Sequence, residues 1–201
     1  AAELKIGRPD VRAAFPDRPP GMHVVRELPP PTLNEFGHKM LSTTNDYFPL
    51  HTDEYYNDTP SRFVLLLCIT PADDGGTTLV AHVDDIVGNL DAPTRSALMQ
   101  PTYPTPSGPK SILEETADGW NMRFNELEIR RAKDFIGVRS RPLPKESIAA
   151  IVAVREAAER HMRRYDLRTG DCLVIQNNRT LHGRTEFSGK ARRLMKRVRI
   201  A

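Results

Sequence analysis

Cysteine and tryptophan are scarce in this 201-residue sequence, with two of the first and one of the second, and long apolar runs are missing altogether. Two cysteines are too few for a disulfide framework. Cys68 in RFVLLLCIT and Cys172 in CLVIQ each read as a small buried hydrophobe, and no disulfide is expected. No stretch approaches the roughly 20 consecutive apolar residues of a membrane span. The opening AAELKIGRPDVRAAF also lacks the apolar centre of a signal peptide, so a cytoplasmic chain without membrane contacts is expected. Acidic residues are scarce at one end: residues 179 to 201 hold eight Lys or Arg against Glu186 alone, while the net charge of the chain is only +3. A nucleic-acid surface spreads its cations over a face and interleaves aromatics. This cluster has Phe187 as its one aromatic, which argues against a nucleic-acid partner.

What is present fits one globular domain over residues 1–201, with 39% hydrophobic and 27% charged residues. Eight of the seventeen prolines fall in the first 50 residues, so residues 1–41 are expected to be irregular, with at most a short helix. The apolar run Phe63 to Ile69 predicts a buried strand, and TTLVAHV, SILEET, GWNMRFN and CLVIQN predict further strands. Asp91 is placed to cap a short helix with Pro93 in its first turn. Between Lys145 and Tyr165, the spacing of Ile148, Ile151, Val152, Ala158, Met162 and Tyr165 predicts a helix whose basic end matches its dipole. Many short strands with few helices make the chain mainly β with flanking helices, a jelly roll or related barrel with a site in its mouth.

His182 stands just ahead of the basic cluster, and one imidazole cannot hold a catalytic metal. His51-Thr52-Asp53 supplies partners, because residues two apart on an extended strand share a face. Together the three side chains make a 2-His-1-carboxylate triad, which leaves positions open on non-haem Fe(II). His82-Val83-Asp84 has the same spacing, and either pair alone reads more simply as a surface feature. Context separates them: STTNDYFPLHTDEYYND is polar and aromatic and leads into a core strand, whereas His82 ends a strand.

HTDEYY, PADDGGTTLVAHVDDIV, LRTGDCLVIQNNRTLHGRTEF and RRLMKRV, in that order between Ser42 and Arg199, resemble the Fe(II)- and 2-oxoglutarate-dependent oxygenases of the taurine dioxygenase and clavaminate synthase-like group. The resemblance implies a double-stranded β-helix (jelly roll) with His51, Asp53 and His182 as catalytic iron ligands, and His82 and Asp84 as structural residues or supports behind them. It implies 2-oxoglutarate as co-substrate, its remote carboxylate clamped by Arg193, eleven residues after His182. A guanidinium fork suits that task better than an ammonium. Thr78 resembles the family threonine whose hydroxyl helps bind the co-substrate, with a plain strand threonine as the other reading. Strand alternation puts Arg193, Met195 and Arg197 on one face. Arg197 is then a second inward cation touching an anionic part of the substrate, or else a structural ion pair. Arg179, Arg184, Arg192 and Lys196 are taken as structural or solvated.

The activity implied couples oxidative decarboxylation of 2-oxoglutarate by molecular oxygen to hydroxylation of a small molecule, an amino acid or derivative being the first choice. Desaturation and cyclisation stay open. Asp53 disfavours halogenation, since related halogenases have a small residue there. Arg123, Asn125 and Glu126 in MRFNELEI are candidates to line a pocket, though an alternating strand explains them equally well. Only 50 residues precede His51, fewer than the family usually has, which leaves the N-terminal segment and the substrate lid open. Two other readings use the same residues: a zinc hydrolase with the His/Asp/His site, and a non-catalytic jelly-roll binding module with core histidines.

Overall fold

Short β-branched and apolar stretches separated by turn residues build an antiparallel architecture. The computed structural model describes residues 22–34, 37–131, 142–189 and 193–201. In chain order the strands are β1 (Met22–Arg26), β2 (Phe48–His51), β3 (Phe63–Thr70), β4 (Asp74–Gly75), β5 (Thr78–His82), β6 (Leu113–Thr116), β7 (Gly119–Met122), β8 (Arg163–Tyr165), β9 (Cys172–Gln176), β10 (Thr180–Arg184), β11 (Phe187–Ser188) and β12 (Leu194–Ile200). The helices are α1 (Val83–Val87), α2 (Ala92–Met99), α3 (Glu126–Arg130) and α4 (Lys145–His161). One four-stranded sheet runs β1-β12-β3-β9 and a second runs β2-β10-β5-β8, with the small pairs β4-β11 and β6-β7 beside them. Neighbours in both large sheets come from distant parts of the chain and pair antiparallel, the crossing pattern of a jelly roll.

The two faces of the second sheet have different work. Leu79 and Ala81 of β5 and Leu181 of β10 are fully buried and join α1, α2 and α4 in the main hydrophobic cluster. Each of the two leucines contributes about 1.5–3 kcal/mol of transfer free energy. Thr78, His182 and Arg184 alternate with them and so point the other way, toward the first sheet. There Val25, Cys68 and Met195 form a smaller cluster from β1, β3 and β12. The site lies between the sheets because that is where the polar alternate residues meet.

Several sequence expectations change in detail. The described part of the N-terminal segment contains a strand: MHVVR is rich in β-branched residues and takes the free edge of β12, from Met22 opposite Val198 to Arg26 opposite Leu194. Residues 1–21 lie outside the described residues. Strand β3 alternates, with Val64 and Cys68 fully buried and its other face half-buried, because only one face meets the inner cluster. Cys172 is exposed, since β9 is an edge strand, and Cys68 is buried; both are free thiols. Helix α4 stops at His161 rather than running to Tyr165, because Arg163–Tyr165 find ladder partners in Thr78–Val80. Its charged side chains also blunt the sheet edge. The helix buries Ala150, Ile151, Val154, Ala157 and Ala158, while Ile148, in the first turn, is 41% exposed. Asp91 caps α2 as expected, its carboxylate accepting from the Thr94 amide at 2.8 Å. Among the described residues no helix is long and apolar enough to cross a membrane.

Candidate metal centre and anion pocket

His182 on β10 stands directly opposite His51, the last residue of β2, and their ring centroids are 4.5 Å apart. Asp53 follows two residues later, not on the strand itself but in the turn that begins there. Thr52 points away and fixes that turn to Phe124, its amide donating to the Phe124 carbonyl at 2.7 Å and its hydroxyl accepting from the Phe124 amide at 2.9 Å. Asp53 Oδ1 lies 3.5 Å from His51 Nε2 and 3.8 Å from His182 Nε2. All three residues are buried, and they form a metal-capable group among the described residues. His82 is exposed at the start of α1, and Asp84 pairs with Arg179 at 2.7 Å, so the second His-x-Asp pair takes no part.

The protonation states suit a divalent ion. Burial alone raises the Asp53 carboxyl, but Arg197 and Arg199, with the nearby His51 and His182, together hold it well below the ordinary carboxylate range. His182 is pushed down to about 3, by burial first and then by His51 and the two arginines, against the pull of Asp53. The site therefore offers an ionised carboxylate and a neutral imidazole at neutral pH. His51 Nδ1 sits 2.9 Å from the Pro49 carbonyl, an arrangement that puts its proton there and its lone pair on Nε2, facing the centre. Two borderline nitrogens and one hard oxygen, all within 4.8 Å of one another, are the donor set that Fe(II) or Zn(II) takes. The residues present fit the ion.

A cavity opens beside the two imidazoles, lined by His51, His182, Thr78, Arg184, Arg193 and Arg197 among others. Its far end is cationic. Arg193 is only 6% exposed and lies over the Phe187 ring at 5.8 Å, yet it has no ion-pair partner among the described residues. Burial pushes its pKa down. Arg184 beside it donates to the carbonyls of Thr44 at 3.0 Å and Asp46 at 2.6 Å, a buried structural role, and burial with the neighbouring Arg193 brings it to about 10. A buried guanidinium without a counter-charge is costly, so this end of the cavity is built for an anion. A second, solvent-open cavity of about 1140 Å³ adjoins the other side of the triad and is lined by Asp53, Glu54, Tyr55, Asn125, Glu128 and Arg199. His51 and Arg197 line both.

The family described as taurine catabolism dioxygenase TauD, TfdA family matches residues 12–199. The chain belongs to that family. Its TauD/TfdA relatives include L-asparagine oxygenase of Streptomyces coelicolor, 26% identical over 194 residues, covering 90% of this chain and 54% of that protein. A trimethyllysine dioxygenase of Meyerozyma guilliermondii is 27% identical over 170 residues, covering 74% of this chain and 41% of that one. The chain thus spans about half the length of the curated relatives it matches. Among solved structures, asparagine oxygenase with Fe(II), 2S,3S-3-hydroxyasparagine and succinate superposes with a TM-score of 0.70 at 19% identity, covering 90% of this chain and 56% of that one. The non-heme iron oxygenase OrfP with Fe and alpha-ketoglutaric acid gives 0.68 at 18%, with the same coverage. At these identities the likeness shows the fold, and the jelly roll of this TauD/TfdA chain is theirs.

Other sequence candidates divide. Arg197 is inward, its Nη1 3.2 Å from both Asp53 oxygens and its Nε buried without a hydrogen-bond partner among the described residues. Burial, offset by Asp53, brings it to about 10. Thr78 is buried in the wall of the first cavity. Asn125 caps α3 and lines the second cavity, whereas Arg123 holds the carbonyls of Asn57 and Asp58, and Glu126 pairs with Arg130 and Arg155 on another surface. Lys196 is half-buried on the opposite face of β12, and Arg192 lies outside the described residues. Two residues were not singled out from sequence. Asn177 accepts from the Asp53 amide at 2.8 Å and donates to the carbonyls of Asp53 at 3.0 Å and Ser61 at 2.9 Å. Arg199 donates from Nε to Asp53 Oδ2 at 2.8 Å, and the alternation that selected Arg193 and Arg197 reaches it two residues further on.

Proposed function

We propose that the chain carries the metal and co-substrate site of an Fe(II)/2-oxoglutarate-dependent dioxygenase that hydroxylates a small molecule, an amino acid or derivative in the first instance. The jelly roll and its helices are read as a single domain. His51 Nε2, His182 Nε2 and Asp53 Oδ1 hold the iron. The first cavity takes 2-oxoglutarate, with its remote carboxylate on Arg193 and the Thr78 hydroxyl assisting. When bound, iron and 2-oxoglutarate together supply the chemistry: oxygen is consumed, the keto acid leaves as succinate and carbon dioxide, and one oxygen atom enters a C–H bond.

The chain's own residues bind and orient. Arg193 fixes the co-substrate at its far end, so the keto end meets the triad in one direction. The single observation that carries this reading is the buried Arg193, without an acidic partner among the described residues, in the cavity that His51 and His182 also line. A zinc hydrolase gives that arginine nothing to do. The second cavity receives the substrate. Its cations Arg197 and Arg199 and its acids Glu54 and Glu128 suit a molecule carrying both charges, and the Nε–H of Arg197, unpartnered among the described residues, suits a carboxylate. The ligands in the solved structures of similar proteins, hydroxyasparagine and hydroxy-L-Arg, are amino acids, which supports the same class.

Anaerobic addition of Fe(II) and 2-oxoglutarate tests the reading. A weak visible charge-transfer band that appears only with both present, and disappears in His182→Ala, is the expected result. Tight Zn(II) binding with no such band for iron makes the hydrolase reading the better one. No rise in thermal stability with any divalent ion favours the non-catalytic module, since a ligand that binds only the native state must stabilise it.

A further inference from the structure

The two oxygens of Asp53 are not equivalent. Oδ1 is the one turned to the imidazoles, at 3.5 and 3.8 Å from their Nε2 atoms. Oδ2 accepts the Nε–H of Arg199 at 2.8 Å, with Arg197 Nη1 3.2 Å from each oxygen. The Arg199 side chain is only 17% exposed, and it projects from the same face of β12 as Met195 and Arg197. Behind it, Asn177 holds the Asp53 backbone on both its amide and its carbonyl. Asn177 fixes the backbone at two points, and on the carboxylate the shorter bond is that of Arg199 to Oδ2 at 2.8 Å, the longer that of Arg197 Nη1 to Oδ1 at 3.2 Å.

We propose that Arg199 is a positioning residue of the metal centre: its Nε–H occupies Oδ2, so that Asp53 meets the ion through Oδ1 alone. This rests on the metal-site reading above. An aspartate beside a divalent ion can chelate through both oxygens. A charge-assisted hydrogen bond on one of them makes chelation cost that bond, and so keeps open the coordination position a second oxygen would take. Charge alone argues the opposite way for affinity. A guanidinium next to a cation site repels the cation, so if Arg199 were only a structural counter-charge, its removal would strengthen metal binding. If it positions the ligand, removal weakens binding, since outer partners of ligating groups are worth about 10–100-fold in affinity. The two roles predict opposite signs.

The experiment is anaerobic titration of the full chain with Co(II), without 2-oxoglutarate, followed by the visible d–d band. Wild type, Arg199→Met and Arg199→Lys are compared, each first melted without metal. One Co(II) per chain is expected for wild type. Arg199→Met should bind about tenfold more weakly or worse, with a changed band per bound ion, because the carboxylate is free to rotate or chelate. Arg199→Lys keeps the charge but loses the directed Nε–H, and should also bind more weakly than wild type with an altered band. If the methionine variant does not fold, the lysine variant decides. Affinity equal to or tighter than wild type, with an unchanged band, overturns the assignment of Arg199 and leaves the metal site standing. A wild type that binds no Co(II), and is indistinguishable from His182→Ala, overturns the metal-site reading and the Arg199 role with it.

Discussion

A methyl group on Gly76 would stand 3.1 Å from Cδ and 3.2 Å from Nε of Arg193, and Gly76 sits at φ +69°. The turn before β5 thus leaves the space through which the buried guanidinium reaches the first cavity. Both demands, the left-handed backbone and the missing Cβ, fall on one residue.

Gly76→Ala should therefore do two things. The left-handed conformation costs about 1–2 kcal/mol for an alanine, and the new methyl pushes Arg193 off its line. Gly170 separates the two effects: it has φ +92° and nothing within 4 Å of an added Cβ. Gly170→Ala is expected to lower the melting temperature without altering the 2-oxoglutarate requirement. Gly76→Ala should lower the melting temperature and also raise the co-substrate KM several-fold. Equal KM values for the two variants would mean that the contact with Arg193 is immaterial.

The triad and the clamp are expected to fail differently. His182→Ala removes an ion ligand and should abolish succinate formation. Arg193→Ala removes only the counter-charge for a remote carboxylate, so its main effect should be a higher 2-oxoglutarate KM, with turnover at saturation less affected. Arg193→Lys should recover part of the loss, because the charge is kept and the two-pronged geometry is not. Succinate measured against co-substrate concentration reads all three, and activity equal to wild type in both alanine variants contradicts the assignment.

The parts of this site that could be read from sequence are those governed by local rules. Period-two alternation on β12 put Arg193, Met195 and Arg197 on one face, and all three line the first cavity. The same rule carried past the end of RRLMKRV reaches Arg199, which was missed only because the motif stopped short. Asn177 offered no such signal. Its side chain answers to Asp53 and Ser61, 124 and 116 residues away, and no spacing within NNRT encodes those partners. Cys172 failed for a related reason: an apolar strand reads alike at the centre and the edge of a sheet, and sheet order is a property of the whole chain. The end of α4 was overrun because helical spacing continued by coincidence into residues that pair with β5.

The buried face of α4 gives a stability test. Ile151 is buried in the main cluster, so Ile151→Ala should cost about 2–5 kcal/mol. Ile148, assigned to the same face by spacing, is 41% exposed, and Ile148→Ala should stay within about 0.5 kcal/mol. Denaturant midpoints of the two variants check this, and a comparable loss in both would place the helix in a different rotation against the sheet.

Asn177 links stability to the metal centre. Truncation to alanine leaves the Asp53 amide and the carbonyls of Asp53 and Ser61 without their partner in a buried setting, at about 1–3 kcal/mol for each group that finds no replacement. Asn177→Ala is thus expected to cost at least about 2 kcal/mol in the metal-free protein. Because the lost bonds are those that hold the Asp53 backbone, divalent metal affinity should fall as well. The neighbouring Asn178, whose side-chain oxygen has no hydrogen-bond partner among the described residues, is the control, and Asn178→Ala should stay within about 1 kcal/mol with metal affinity unchanged. Were Asn177→Ala to lose stability and yet bind Co(II) as wild type does, the imidazoles and the Arg199 bond would by themselves be enough to hold the carboxylate in place.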